Sequence, residues 1–151
     1  MVWLSRLVLV AALIAPGLSA GAATARIVKV LPHLLDQKGR HTLSPSLYER
    51  DAYQAMLREN PDRCSALRFD VKWKARRVAS GQLKLRLEVR GSKEPKPLVL
   101  EQAIERKARY NRWTSLRLGR DLYQQTGGVI AWRATLWDGD TLLAEQKSFL
   151  W

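Results

Sequence analysis

The 151-residue chain has a single cysteine, Cys64, and only two histidines, His33 and His41. One cysteine excludes an internal disulfide, so packing alone must hold the fold. No glycine-rich phosphate loop and no Gly-x-Ser-x-Gly elbow occurs, which removes the two best-marked routes to nucleotide binding and serine catalysis. The 14 acidic residues are scattered singly, so no paired-carboxylate site is marked. The spacing His33-x2-Asp36-x4-His41 matches no recognised metal-ligand pattern. Neither a metal nor a cofactor is therefore expected. A Cys64–His41 nucleophile pair, with His33 and Asp36 nearby in sequence, is the remaining path to a small hydrolase. Cys64 near the start of a strand reads better as a small buried residue.

Long hydrophobic runs are also missing. The longest, Leu7–Ala15, falls well short of the about 20 residues that a spanning helix needs. It follows the positive Arg6 and precedes Pro16-Gly17 and the small residues Ser19–Ala25, the order of a secretory signal peptide. Cleavage after Ala22 fits the Ala-x-Ala rule, so residues 1–22 are expected to be removed, leaving 23–151 as one exported domain, periplasmic or secreted. The C-terminal Phe149-Leu150-Trp151 raises an outer-membrane barrel as an option, but lysines and arginines on the outward positions of the middle strands exclude a lipid-facing band.

What the chain has in excess is positive charge. Lys and Arg number 26 against 14 acids, a net charge of +12, and the leader carries only Arg6 of it. Such a balance raises the local concentration of anions at the surface.

Period-two alternation is the strongest local signal. Leu67, Phe69, Val71, Trp73 and Ala75 alternate with Arg68, Asp70, Lys72, Lys74 and Arg76. After a turn near Ser80-Gly81, Leu83, Leu85, Leu87 and Val89 alternate with Lys84, Arg86, Glu88 and Arg90. The pair is expected to form a hairpin buried on one face, which gathers the basic residues on the other. Arg106, Lys107, Arg109, Arg112, Arg117 and Arg120 extend that bias. Further strands are expected at Arg26–Leu31, ended by Pro32, at Leu98–Glu105, where a helix fits equally well, and at Trp113–Leu118. Ser46-Leu47-Tyr48-Glu49 is a capping box, and Tyr48, Ala52 and Met56 recur at helical spacing, so an amphipathic helix is expected over 46–59, before Pro61. The segment Leu31–Tyr53 is expected to wrap over one edge of the fold.

The last hairpin runs from Ile130 to Ala144. A three-residue loop, Trp137-Asp138-Gly139, sets Ala134 opposite Leu142 and Trp132 opposite Ala144, with Trp132 in the core.

Taken together, six to seven short strands and one early helix imply a mostly β chain folded as an antiparallel sandwich. On the Leu67–Trp73 and Leu83–Val89 pair and the terminal hairpin, the chain from Arg26 to Trp151 resembles the immunoglobulin-like and fibronectin type III-like sandwiches. The paired cysteines of immunoglobulin domains are absent. Tyr123, ahead of the Val129–Trp137 strand, resembles a tyrosine corner in position. The resemblance implies a scaffold and no activity.

The expected function is binding, not chemistry. The basic hairpin face, with Arg68, Lys72, Lys74, Lys84, Arg86 and Arg90, is the candidate site for an anionic partner, an acidic protein or an anionic envelope polymer. Nucleic acid is disfavoured, because export removes most of it and no aromatic is interleaved with those residues. The competing reading is a structural or accessory envelope subunit whose apolar interface includes Trp137 and Trp151.

Overall fold

The computed structural model describes residues 23–79, 81–105 and 112–151. The expected leader, Ser80 of the expected turn, and Arg106, Lys107 and Arg109 lie outside the described residues. The strands are β1 (Thr24–Asp36), β2 (Cys64–Arg76), β3 (Leu83–Gly91), β4 (Leu98–Ile104), β5 (Arg112–Gly119), β6 (Val129–Asp138) and β7 (Thr141–Lys147). Two helices join them, α1 (Leu47–Glu59) between β1 and β2 and α2 (Arg120–Thr126) between β5 and β6. The chain is thus mostly β, in two antiparallel sheets ordered β1-β2-β5 and β4-β3-β6-β7. No helix among the described residues is long and apolar enough to cross a membrane.

That order overturns the expected β2–β3 hairpin. The two strands alternate as anticipated, but they sit in different sheets, β2 between β1 and β5 and β3 between β4 and β6. The reason is burial. Each strand has one apolar face, and a hairpin would leave both on the same side of one sheet. Crossing over turns them against each other, so Phe69, Val71 and Trp73 share a single core with Leu85, Leu87 and Val89. Trp73 is 1% exposed. At about 25 cal/mol per Å2 its burial contributes on the order of 4–6 kcal/mol gross. Its indole N–H donates to Thr114 Oγ1 of β5 at 2.8 Å, so the one polar atom of the ring is satisfied. The crossing segment is tied down by Asp138, whose Oδ2 accepts from the Ala79 N–H at 2.8 Å.

The terminal hairpin forms with a different register. Leu136 faces Ala144 and Ala134 faces Gln146, and the turn is Gly139-Asp140. Gly139 has φ 57° while Asp140 has a negative φ, which is the pattern of a type II′ turn with glycine at its first central position. A bulge between Leu136 and Trp137 then reverses the parity set by this two-residue turn and restores that of the three-residue loop. Leu142 is therefore half-exposed opposite Trp137, not in the core, while Leu143 and Ala144 pack inward. Trp132 is half-buried at the margin of the core.

β1 also runs further than its proline suggested. Pro32 sits within the strand, opposite Phe69. Among the described residues β1 pairs with β2 alone, so an edge strand accommodates the missing N–H. Its open side is covered by α1, which starts at Ser46, whose hydroxyl accepts from the Glu49 N–H. The buried Gln54 amide Oε1 accepts from Leu34 N–H at 2.8 Å, and its Nε2 donates to the Leu34 and His41 carbonyls at 2.9 and 2.7 Å. One side chain thus completes the hydrogen bonding of Leu34 on the open side of β1, away from β2, and holds the returning loop against it.

Replacing Gln54 with alanine strands both Leu34 backbone groups. The expected loss is about 2–3 kcal/mol, read as a urea midpoint lowered by roughly 1 M or more. An unchanged midpoint would show that the amide adds nothing to the edge.

Candidate anion-binding face

With β2 and β3 in separate sheets, the basic residues expected on one surface divide between two, on opposite sides of the fold. Arg68, Lys72 and Lys74 belong to the outer face of β1-β2-β5; Lys84, Arg86 and Arg90 belong to the outer face of β4-β3-β6-β7. The single six-residue face is corrected accordingly, and the two halves differ in chemistry.

The four-stranded face carries its own carboxylates, which pair with most of its cations. Lys84 Nζ lies 3.2 Å from Glu101 Oε1, and Arg86 reaches Glu88 at 3.3 Å and Glu101 at 3.7 Å. Arg133 Nε closes on Glu88 Oε2 at 2.7 Å. These pairs follow from the register, which sets Arg86 opposite Glu101 and Glu88 opposite Arg133. Arg90 is also engaged: its guanidinium lies 4.3 Å from the centre of the Trp151 ring, with Arg133 at 5.7 Å from the same ring. Trp137 lies on this face beside Lys84, and its indole N–H donates to Thr135 Oγ1 at 2.9 Å. Both tryptophans of the expected apolar interface are therefore half-buried on the charge-paired sheet, whereas Phe149 and Leu150 beside them are exposed.

The three-stranded face keeps its charge. Its register sets Arg26 opposite Lys74, Lys29 opposite Lys72, and His33 opposite Arg68, with Trp113, Ser115 and Arg117 completing the rows from β5. Among the described residues Arg26, Lys29, Lys72, Lys74 and Arg117 form no ion pair. The carboxylate in these rows, Asp70, is already occupied: it takes Arg68 at 2.9 Å and the Ser115 hydroxyl at 2.5 Å. Arg26 and Lys29 are three residues apart, a spacing that period-two reading does not gather. A bulge at Val28 brings them to the same side. Trp113 is 48% exposed, and Lys72 Nζ lies 5.6 Å from its ring centre. An aromatic is thus interleaved with the cations after all. It was invisible in the sequence because Trp113 and Lys72, which face each other across β5 and β2, are 41 residues apart along the chain.

The histidines meet at the end of this face, and not with Asp36. Their ring centroids are 4.8 Å apart; His33 Nε2 is 3.7 Å from Asp70 Oδ2, and Arg68 Nη2 is 3.4 Å from His41 Nδ1. Burial lowers both imidazole pKa values. The neighbouring His41, Arg68 and Arg50 charges depress His33 further, against the pull of Asp70. Arg68 and Arg50 likewise depress His41, again against Asp70. Asp36 is a structural hub instead. It accepts from the Lys38 and Arg40 N–H groups, from the Arg40 guanidinium and from the Tyr53 hydroxyl, all at 2.8–2.9 Å. Burial would raise its carboxyl, but those donors hold it well below the usual carboxylate range. Cys64 is fully buried; its thiol donates to the Leu57 carbonyl at 3.3 Å, and burial pushes its pKa up, away from nucleophilic use. Among the described residues no group of three or more His, Cys, Asp or Glu side chains is arranged to hold a metal ion.

Compared with protein-family models and with curated proteins, the chain matches none.

Because the folded state depresses both imidazoles, the unfolded chain binds more protons below its own histidine pKa of about 6.5. Stability is therefore expected to fall as pH drops from 7.5 to 5.5, while Asp36 stays ionised throughout. The Tm of a His33→Gln, His41→Gln double variant should vary less over that interval. An equal slope in both proteins would remove the histidines from the account.

Proposed function

We propose that the protein is an exported, non-catalytic interaction module that holds an anionic partner on the outer face of its three-stranded sheet. The observation that carries this reading is the contrast between the faces: Lys84 and Arg86 have carboxylates beside them, whereas Lys29, Lys72 and Lys74 have none among the described residues. Unpaired cations on one flat surface attract an anion without first giving up a partner. An acidic protein or an anionic envelope polymer fits the export expected from residues 1–22. The reading against nucleic acid now rests on that export alone, since Trp113 supplies an aromatic among the cations.

The scaffold we infer is fibronectin type III-like. Constant-type immunoglobulin domains set strands 1, 2, 5 and 4 in one sheet. Here the fourth strand lies beside the third, an order of β1-β2-β5 and β4-β3-β6-β7 that supports the fibronectin relation. A second reading, an accessory subunit with an apolar interface at Trp137 and Trp151, draws on the fully exposed Phe149 and the 64% exposed Leu150 beside Trp151.

Pull-down from envelope extract at low and high salt separates these readings. A Lys29→Glu, Lys72→Glu, Lys74→Glu variant removes and reverses three charges, each worth about 0.5–1 kcal/mol, so capture should weaken by roughly tenfold or more. A Lys84→Glu, Arg86→Glu variant should retain it. Capture that survives both high salt and the triple variant would sink the basic-face reading and favour the tryptophan-bearing sheet.

A further inference from the structure

Between β1 and β6, where the two sheets part, a cleft of about 320 Å3 opens beside the ends of α1 and α2. That volume lies within the range of small-molecule sites, about 300–1,000 Å3. Its walls are largely apolar, with Leu34 and Leu67 from one sheet and Val129, Ile130 and Trp132 from the other. Ile130 is 52% exposed and Trp132 half-buried, so the wall presents apolar surface to water.

The polar groups around it sort into two kinds. Gln54 is fully used by Leu34 and His41, and the Ser148 hydroxyl accepts from the Trp132 N–H at 2.9 Å. Two donors remain. Tyr123 lines the cleft with only 8% of the residue exposed. Arg58, on the last turn of α1, forms no ion pair among the described residues and lines the same cleft; burial pushes the Tyr123 hydroxyl pKa up, and Arg58 opposes that shift. A phenol hydroxyl and a guanidinium that both line an apolar cleft match a carboxylate joined to a hydrocarbon chain.

We propose that this cleft binds a single-chain carboxylate amphiphile, a fatty acid, with the chain against Leu34, Leu67, Ile130 and Trp132 and the carboxylate received by Tyr123 and Arg58. The site is separate from the basic sheet face and needs nothing from it. Apolar burial makes affinity rise with chain length, several-fold from decanoate to dodecanoate. The carboxylate, in turn, makes dodecanoate bind better than dodecanol.

The test is an NMR titration of the protein with dodecanoate, followed at backbone amides and the Trp132 indole. Saturable shifts are expected at Leu34, Val129, Ile130 and Trp132. An Arg58→Gln, Tyr123→Phe variant should weaken dodecanoate at least tenfold and leave dodecanol unchanged, a result that a misfolded variant would not give. Lys72→Glu with Lys74→Glu should leave dodecanoate binding as it was. The proposal is overturned by the absence of saturable shifts below the micelle concentration. It is equally overturned by shifts centred on Lys72 and Trp113, or by unaltered dodecanoate affinity in the Arg58, Tyr123 variant.

Discussion

Everything distinctive about this surface follows from the place where the chain leaves one sheet for the other, between Arg76 and Leu83. Arg77 there has φ 56° and Gly81 φ 69°, two left-handed backbone positions within five residues, and Asp138 anchors the segment from β6. A non-glycine residue in that region is uncommon, and it persists where the surrounding structure compensates. The compensation is the shared core, in which the apolar side of β2 is covered by the apolar side of β3. Once those two faces are set against each other, the polar sides of the same strands must look in opposite directions.

Electrostatics then separate the two outer faces. On the four-stranded sheet, cross-strand pairing brings Arg86 to Glu101 and Arg133 to Glu88, and the C-terminal Trp151 covers Arg90. Exposed pairs of this kind contribute little to stability, about 0–1 kcal/mol each, but they weaken the field of the face. On the three-stranded sheet the opposite residues are themselves cations, Arg26 against Lys74 and Lys29 against Lys72. Like charges directly opposite are destabilising. A fold that keeps several such pairs on one sheet carries a cost that an anionic partner would relieve.

Much of the local structure was legible in the sequence, because local structure depends on short spacings. The alternation in Leu67–Ala75 and Leu83–Val89 marked both strands and their buried sides, and the capping box at Ser46 marked the start of α1. What was not legible is pairing between distant segments. The same alternation suits a hairpin or a crossing, and only the common core decides. The bulge at Val28 hid Arg26 and Lys29 from any period-two count. Trp113 became part of the basic face only when β5 settled beside β2. His33 and His41 show no partner in their local spacing, and the register delivers Asp70 and Arg68 to them. Asp36 and Gln54 proved to be the ties that hold α1 and the preceding loop to the edge of β1, a role that polar residues in a loop and a short helix do not announce.

The central claim is that the unpaired face, and not the paired one, gathers anions. An NMR titration of the protein with poly-glutamate at low salt tests it most directly. The account predicts amide shifts concentrated at Lys29, Lys72, Lys74, Trp113 and Arg117 that collapse as salt is raised past the point where the Debye length falls below about 8 Å. Shifts of equal size at Lys84, Arg86 and Arg133 would contradict it, and would mean that the ion pairs of the four-stranded sheet do not shield that face.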